Sequence, residues 1–258
     1  MNVEDRLRIS GQRYRQRREA GLAGWAHDES YKRKIGTVLE LVAKYRIPED
    51  GRFLELGCGA GNVTIEMARR GFNAYGIDIV PEAIEWAKTK AEDAGVHASF
   101  HTGTVALLEP FQDEFFDVVF DGDCLWMVLG EERPACFRNV YRVLKPGGVF
   151  FAQSHIVDQT FRERHVVAPG AYIDPVTLQS TVKDTPMYQY CREDAFLSEI
   201  QTAGFEVLHH RMGQLDDMDK DTPSFYKGVM FVEAGKPRRD HGQRTSAGDF
   251  AIRGAPEK

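Results

Sequence analysis

The chain has 258 residues, 42% of them apolar and 28% charged, with a formal net charge of -6. That length suits one α/β domain needing no disulfide or metal staples, and the acidic balance excludes a protein that clamps DNA through a general basic surface. The four cysteines, Cys58, Cys124, Cys136 and Cys191, include no CxxC pair, so no metal and no disulfide framework is expected.

In chain order, residues 1–29 form a charged leader read as helical. Its arginine-rich stretch from Arg6 to Arg18 is a solvated helix face, with an RNA or membrane contact as the alternative. The N-terminus lacks an apolar signal segment and no apolar run reaches membrane-spanning length, so a cytoplasmic protein without a membrane partner is expected. A helix over 30–45 has Ile35, Val38, Leu39, Leu41 and Val42 on its apolar face and stops before Pro48. Strands over 52–56, 74–79, 98–102, 116–120 and 149–152 then alternate with helices over 62–70, from Pro81 onward, and over 131–144. The turn KPGG at 145–148 leads into the last of these strands. Such alternation implies βαβ units and a parallel sheet covered on both faces, a doubly wound α/β fold.

The stretch 154–190 breaks the rhythm, with Pro169, Pro175 and Pro186 and no sustained periodicity. A stretch of that length inside a compact domain has a function or a structure that periodicity does not reveal. A helix over 192–203 ends at Gly204, and strands over 205–211 and 226–234 pair as an antiparallel edge hairpin. The polar tail 236–258 is read as disordered. The domain reading is a leader or lid over 1–29, a domain over 30–235 with an insert at 154–190, and the tail.

The chemistry-bearing segment is FLELGCGAGN, Phe53 to Asn62. Gly57, Gly59 and Gly61 sit where a buried strand turns into a helix, and missing side chains there let backbone N–H groups approach a ligand. The spacing is GxGxG, with Asn62 where the GxGxxG dinucleotide fingerprint has glycine. Glu55 lies inside the strand, where a carboxylate is costly unless paired or hydrogen-bonded. Asp78 ends the next strand, where a carboxylate can accept from the ribose hydroxyls of a nucleoside; a helix N-cap is the alternative.

On these residues, and on FDVVFD (Phe116 to Asp121) and VYRVLKPGGVFF (Val140 to Phe151), the chain resembles the class I S-adenosylmethionine-dependent methyltransferases over roughly 51–234. The resemblance implies a three-layer sandwich around a seven-stranded, mostly parallel sheet of order 3-2-1-4-5-7-6, strand 7 antiparallel. It implies S-adenosyl-L-methionine as cofactor and S-adenosyl-L-homocysteine as product, and the sequence reading is transfer to O, N or S of a small-molecule methyl acceptor. Glu55, Gly57, Cys58, Gly59, Gly61 and Asn62 would hold the methionine part, Asp78 the ribose, and Ile79 would pack on adenine. Many relatives carry an acid after the glycine at the next strand end, where this chain has Thr104 after Gly103; Thr104, the backbone of Val105 or a water would serve instead.

Methyl transfer from a sulfonium is an in-line displacement that depends on holding donor and acceptor aligned in a dry site, and a base is needed only where the nucleophile must lose a proton. Asp121, Asp123, Cys124 and Trp126 follow the fourth strand and face the switch point of the sheet. Asp121 is a candidate to orient the acceptor or contact the cofactor amine, and His155 the candidate general base. Trp126 would meet the sulfonium face-on, against simple core packing. Trp25 and Tyr172 are the aromatic candidates for acceptor binding, and the leader around Tyr14 and Trp25 and the insert with Tyr172, Tyr188 and Tyr190 are read as lids. The rival readings are an RNA or protein methyltransferase docking through the leader, and an enzyme using S-adenosylmethionine for another transfer.

Overall fold

The structure, a computed structural model, describes residues 3–168, 171–182, 185–213 and 225–239. The leader forms α1 (Val3–Glu19), followed by α2 (Asp28–Lys44). Asp28 and Glu29 open α2 and Lys44 closes it, each charge complementing the helix dipole at its end. Then come β1 (Arg52–Leu56), α3 (Asn62–Arg69), β2 (Asn73–Asp78), α4 (Pro81–Asp93), β3 (Ser99–Thr102), β4 (Phe116–Asp121), α5 (Glu132–Val143) and β5 (Leu144–Val157). Pro81 opens α4 at its first position, where the missing N–H costs nothing. Four short strands follow, β6 (His165–Ala168), β7 (Ala171–Ile173), β8 (Gln179–Val182) and β9 (Thr185–Gln189). The last elements are α6 (Glu193–Thr202), β10 (Glu206–Gly213) and β11 (Tyr226–Gly235).

The central sheet has seven strands in the order β10-β11-β5-β4-β1-β2-β3. β1 to β5 pair in parallel, and β11 runs antiparallel between β5 and β10. This is the expected order with its antiparallel seventh strand; only β10 of the last two is an edge. Successive side chains go to opposite faces, as strand geometry requires. Leu54, Val119 and Phe150 pack with Phe137 of α5 and Phe196 of α6. Their neighbours Phe53, Val118 and Phe151 pack with Val38 of α2 and Met67 of α3. Helices therefore cover both faces, and each fully buried large side chain contributes about 1.5–3 kcal/mol.

Three sequence expectations change. KPGG does not precede β5 but loops out within it: the register against β4 shifts between Leu144 and Val149, and Gly147 has φ +83°. β5 then runs on to Val157 because β11 pairs with it as far as Tyr226, so the insert begins after 157 rather than at 154. The insert is itself a sheet, β6-β7-β8-β9, antiparallel throughout. Pro186 is tolerated because β9 is an edge strand, and Asp174 makes the β7–β8 turn by accepting from Val176 N and Thr177 N at 2.9 and 2.7 Å. The insert rests on a small core of Val157, Phe161, Ile173 and Leu178. The tail expectation fails at its start, where buried Lys236 donates to Tyr141 O and Leu144 O at 2.9 and 2.8 Å; residues 240–258 lie outside the described residues.

Candidate functional site

β1 ends against a turn whose glycines all have positive φ, +65° at Gly57, +53° at Gly59 and +74° at Gly61. A side chain at Gly57 would put its Cβ 2.3 Å from Cys124 Cβ, and one at Gly59 would come 2.7 Å from the Tyr14 hydroxyl. These two glycines keep the carboxyl edge of the sheet open. Gly61 answers to packing, since its Cβ would meet Phe100 and Ala87.

The turn borders a cavity of about 240 Å³ at the carboxyl ends of β1, β2 and β4. Gly57, Cys58, Gly59, Asp78, Ile79, Gly103, Thr104 and Val105 all reach it, as do Glu55, Trp25 and Trp126. Asp78 is buried and accepts from Gly59 N through Oδ2 and from Val80 N through Oδ1, both at 2.9 Å. Each oxygen keeps acceptor capacity for a ligand hydroxyl. Burial pushes the Asp78 carboxyl above the ordinary carboxylate range, and the N–H groups of Val80, Gly59 and Ile79 hold it down in part. The N-cap of α4 is Val80, not Asp78.

Glu55 Oε2 accepts from Thr64 N at 3.0 Å and from Thr64 Oγ1 at 2.5 Å, tying β1 to the first turn of α3. Burial pushes its carboxyl up to about 7, because a charge withdrawn from water is disfavoured. Thr104 Oγ1 accepts from Ala106 N at 3.2 Å, so the residue standing where relatives have an acid serves its own loop. Ile79 is 42% exposed at the cavity, a large apolar surface free to be covered.

The structure does not bring every candidate into this cavity. Asn62 Nδ2 donates to Ala23 O at 3.1 Å and its Oδ1 accepts from Lys90, which also donates to Ala23 O at 2.8 Å. Asn62 thus fastens the leader loop. Asp121 is buried behind the wall, accepting from Cys124 N and Leu125 N at 2.8 and 3.2 Å. Burial, then neighbouring Asp123, push its carboxyl up to about 6. His155 lies outside the lining, with its Nδ1 2.7 Å from the Tyr226 hydroxyl and its ring 4.2 Å from that of Trp126. Burial pushes its imidazole down to about 4, so it is neutral at neutral pH. Tyr172 lies away from the cavity, its ring under the Arg164 guanidinium.

Two lid residues of the sequence reading, Tyr188 and Tyr14, and one residue it does not single out, Lys34, reach the cavity instead. Tyr188 of β9 stacks on Trp126 at 4.2 Å with 12° between the planes and reaches the cavity. Tyr14 of α1, 7% exposed, sets its hydroxyl over Gly59. Lys34 of α2 reaches the same space, ion-paired with Asp123 at 2.7 Å. Asp123 has φ +77°, a conformation that aspartate tolerates better than most residues. Lys34 stands one turn before buried Val38 and two before Val42; a charge on that apolar stripe was the legible signal for it.

Residues 54–152 match the family model described as a methyltransferase domain. The chain is 32% identical over 129 residues to YqeM of Bacillus subtilis (strain 168), a protein named as a methyltransferase, over 50% of this chain and 51% of that one. It is 28% identical over 186 residues to the ubiquinone biosynthesis O-methyltransferase of Methylobacterium nodulans, over 66% of this chain and 68% of the other. The chain spans about half the length of most of these curated relatives. Among solved structures, it is similar to the Burkholderia thailandensis 1,6-didemethyltoxoflavin-N1-methyltransferase with 1,6-didemethyltoxoflavin and S-adenosylhomocysteine bound. The TM-score is 0.61 and the identity 17%, covering 92% of this chain and 91% of that one. At that identity the likeness is one of fold.

Proposed function

Because the chain has the class I S-adenosylmethionine-dependent methyltransferase fold, we propose that it methylates an oxygen, nitrogen or sulfur atom of a small-molecule acceptor, with S-adenosylhomocysteine as product. The observation that carries this reading is the buried Asp78 carboxylate, fixed by two backbone N–H groups beside a glycine turn that a Cβ would close. When bound there, S-adenosylmethionine supplies an electrophilic methyl group on a sulfonium. Asp78 would accept from the ribose hydroxyls, Ile79 and Val105 would flank the adenine, Glu55 would face the ammonium, and Gly57 and Gly59 would leave room for the amino-acid chain. The names of two relatives, an O-methyltransferase and an N1-methyltransferase, support a small acceptor. So does the cavity beyond the cofactor residues, walled by Trp25, Trp126 and Tyr188.

With His155 and Asp121 outside the lining, no general base is assigned; alignment and exclusion of water carry the catalysis. The leader acts as a lid, since Tyr14 and Trp25 reach the cavity while Arg15 pairs with Glu82 of α4. That pairing, with Arg13 over the Trp25 ring at 4.9 Å, engages two arginines of the leader with this chain's own residues and disfavours a nucleic-acid docking arm. Four free thiols suit a reducing compartment, the cytoplasm, and among the described residues no helix is long and apolar enough to cross a membrane.

The test is calorimetric titration with S-adenosylhomocysteine, followed by its release from S-adenosylmethionine in the presence of hydroxylated and aminated ring compounds. Binding together with acceptor-dependent release is expected. A folded protein with no affinity for either form of the cofactor would end this reading.

A further inference from the structure

Arg133, in the first turn of α5, is an arginine set in the apolar core. The residue is 3% exposed, and its guanidinium carbon lies 5.5 Å from the ring of Phe137 and 5.8 Å from that of Phe196. Its donors run to three separate parts of the chain. Nε donates to both carboxylate oxygens of Glu199 in α6, at 2.8 and 3.0 Å. Nη1 donates at 2.6 Å to Leu125 O, in the single turn Leu125–Met127 that follows β4. Nη2 donates at 3.2 Å to Cys191 Sγ, in the link between β9 and α6. Arg133 and these partners lie outside the cavity lining, yet Leu125 directly precedes Trp126 and Met127, and Cys191 follows Tyr188 by three residues. Cys191 N also donates to His155 O at 2.9 Å, and the His155 ring is the second one stacked on Trp126.

Stability alone is a weak reason for this arrangement, because a well-packed apolar side chain often serves as well as a buried ion pair. What an apolar side chain cannot do is hold three partners in fixed directions, as the planar guanidinium fork does. We infer that Arg133 is a positioning residue for the acceptor side of the site: it ties the turn carrying Trp126 to the link after Tyr188 and, anchored by Glu199, fixes the Trp126–Tyr188 stack as one wall. That this wall faces an acceptor rests on the proposed function; that Arg133 sets the wall does not.

The test is acrylamide quenching of Trp126 in the full chain carrying Trp25→Phe and Trp86→Phe, which leaves it the sole tryptophan of three. Calorimetric titration with S-adenosylhomocysteine is run beside it on chains that keep all three. Arg133→Met should raise the quenching constant at least about twofold, because the stack is no longer held shut. Glu199, its side chain 32% exposed, can turn to water, so one cooperative melting transition is expected, with S-adenosylhomocysteine affinity within about threefold of wild type. Tyr188→Ala should raise quenching by itself, and adding Arg133→Met to it should change little, since the arginine acts through the stack. Should Arg133→Met fail to fold, Cys191→Ala removes only the tie to the β9 link and should raise quenching in the same direction. Unchanged quenching in a folded variant, or a full additional increase on top of Tyr188→Ala, overturns the assignment of Arg133. So does a loss of S-adenosylhomocysteine affinity beyond about tenfold, the sign of a general collapse. Wild-type protein that does not bind S-adenosylhomocysteine overturns the proposed function, and the quenching comparison still decides on Arg133.

Discussion

Among the described residues two sheets meet at one cavity, and they are built on opposite terms. The central sheet is parallel over β1 to β5 and buried on both faces, with Phe53, Leu54, Leu56 and Phe150 fully enclosed. The insert sheet is antiparallel, its strands three to five residues long, and its small core leaves Val166 65% and Val176 86% exposed. The first delivers glycines, Glu55 and Asp78 to the cavity from strand ends that cannot move without disturbing the core. The second delivers Tyr188 from an edge strand. On the proposed function, the cofactor would fall to the rigid sheet and the acceptor to the adaptable one, since lids and specificity elements come from regions of low local stability.

Breaking the rigid half gives the largest effects. Gly59→Val places a branched side chain at φ +53° and against the Tyr14 hydroxyl, with a backbone strain of about 1–3 kcal/mol. Affinity for S-adenosylhomocysteine should fall by more than about 100-fold while circular dichroism still reports a folded sheet; normal binding would show that the turn does not cradle the cofactor. Asp78→Ala comes next, with a calorimetric loss of about 1.5–3 kcal/mol, the range for hydrogen bonds to a charged group. Unchanged affinity in a folded variant would remove Asp78 from the ribose.

The acids of the two halves should respond to pH with opposite signs. Burial raises Glu55 to about 7 and Asp121 to about 6 in the folded protein. The native state therefore keeps protons that the unfolded chain releases from about pH 4 upward. Their contribution to stability declines as pH rises through that window, and Glu55→Gln should flatten the decline seen in thermal melts. Asp158 and Asp174 of the insert are lowered instead, Asp158 first by Thr160 and Lys227, Asp174 by Thr177 N–H. Their contribution is present above the ordinary aspartate value and disappears as pH falls below it. A cofactor ammonium beside Glu55 favours the carboxylate, so cofactor affinity should rise toward pH 7 by up to about tenfold per unit, with proton release visible as a buffer-dependent heat. Binding that is indifferent to pH would separate Glu55 from the ammonium.

The same contrast explains what the sequence made legible. β1 and β4 read as apolar runs because parallel strands are buried on both faces, and the glycine turn read clearly because positive φ leaves few alternatives. The insert strands are half exposed, interrupted by Pro175 and Pro186, and carry no alternation long enough to see. His155 reads as lying after an apolar strand, but that strand continues to Val157, so its ring packs between Trp126 and Tyr226. Asn62 adjoins the glycines in sequence, but its side chain turns toward the leader. Tyr188 reads from sequence only as one of three insert tyrosines of a lid, because the tertiary packing of β9 on Trp126 is what singles it out at the cavity.

The smallest effect sharpens the comparison most. Tyr188→Ala removes one ring of the stack on Trp126, a pair at 4.2 Å and 12° that contributes about 0.5–1.5 kcal/mol beyond its buried area. A modest drop in melting temperature is expected, because the insert core around Ile173 and Leu178 remains. Affinity for S-adenosylhomocysteine should stay within about threefold of wild type, about 0.65 kcal/mol, because Tyr188 is read as a wall of the acceptor space. Acceptor-dependent turnover should suffer instead, through a raised KM, because the acceptor loses a wall while the cofactor keeps all of its partners. Were Tyr188→Ala to weaken S-adenosylhomocysteine as much as Asp78→Ala does, the insert would belong to the cofactor site, and the division of labour between the two sheets would be wrong.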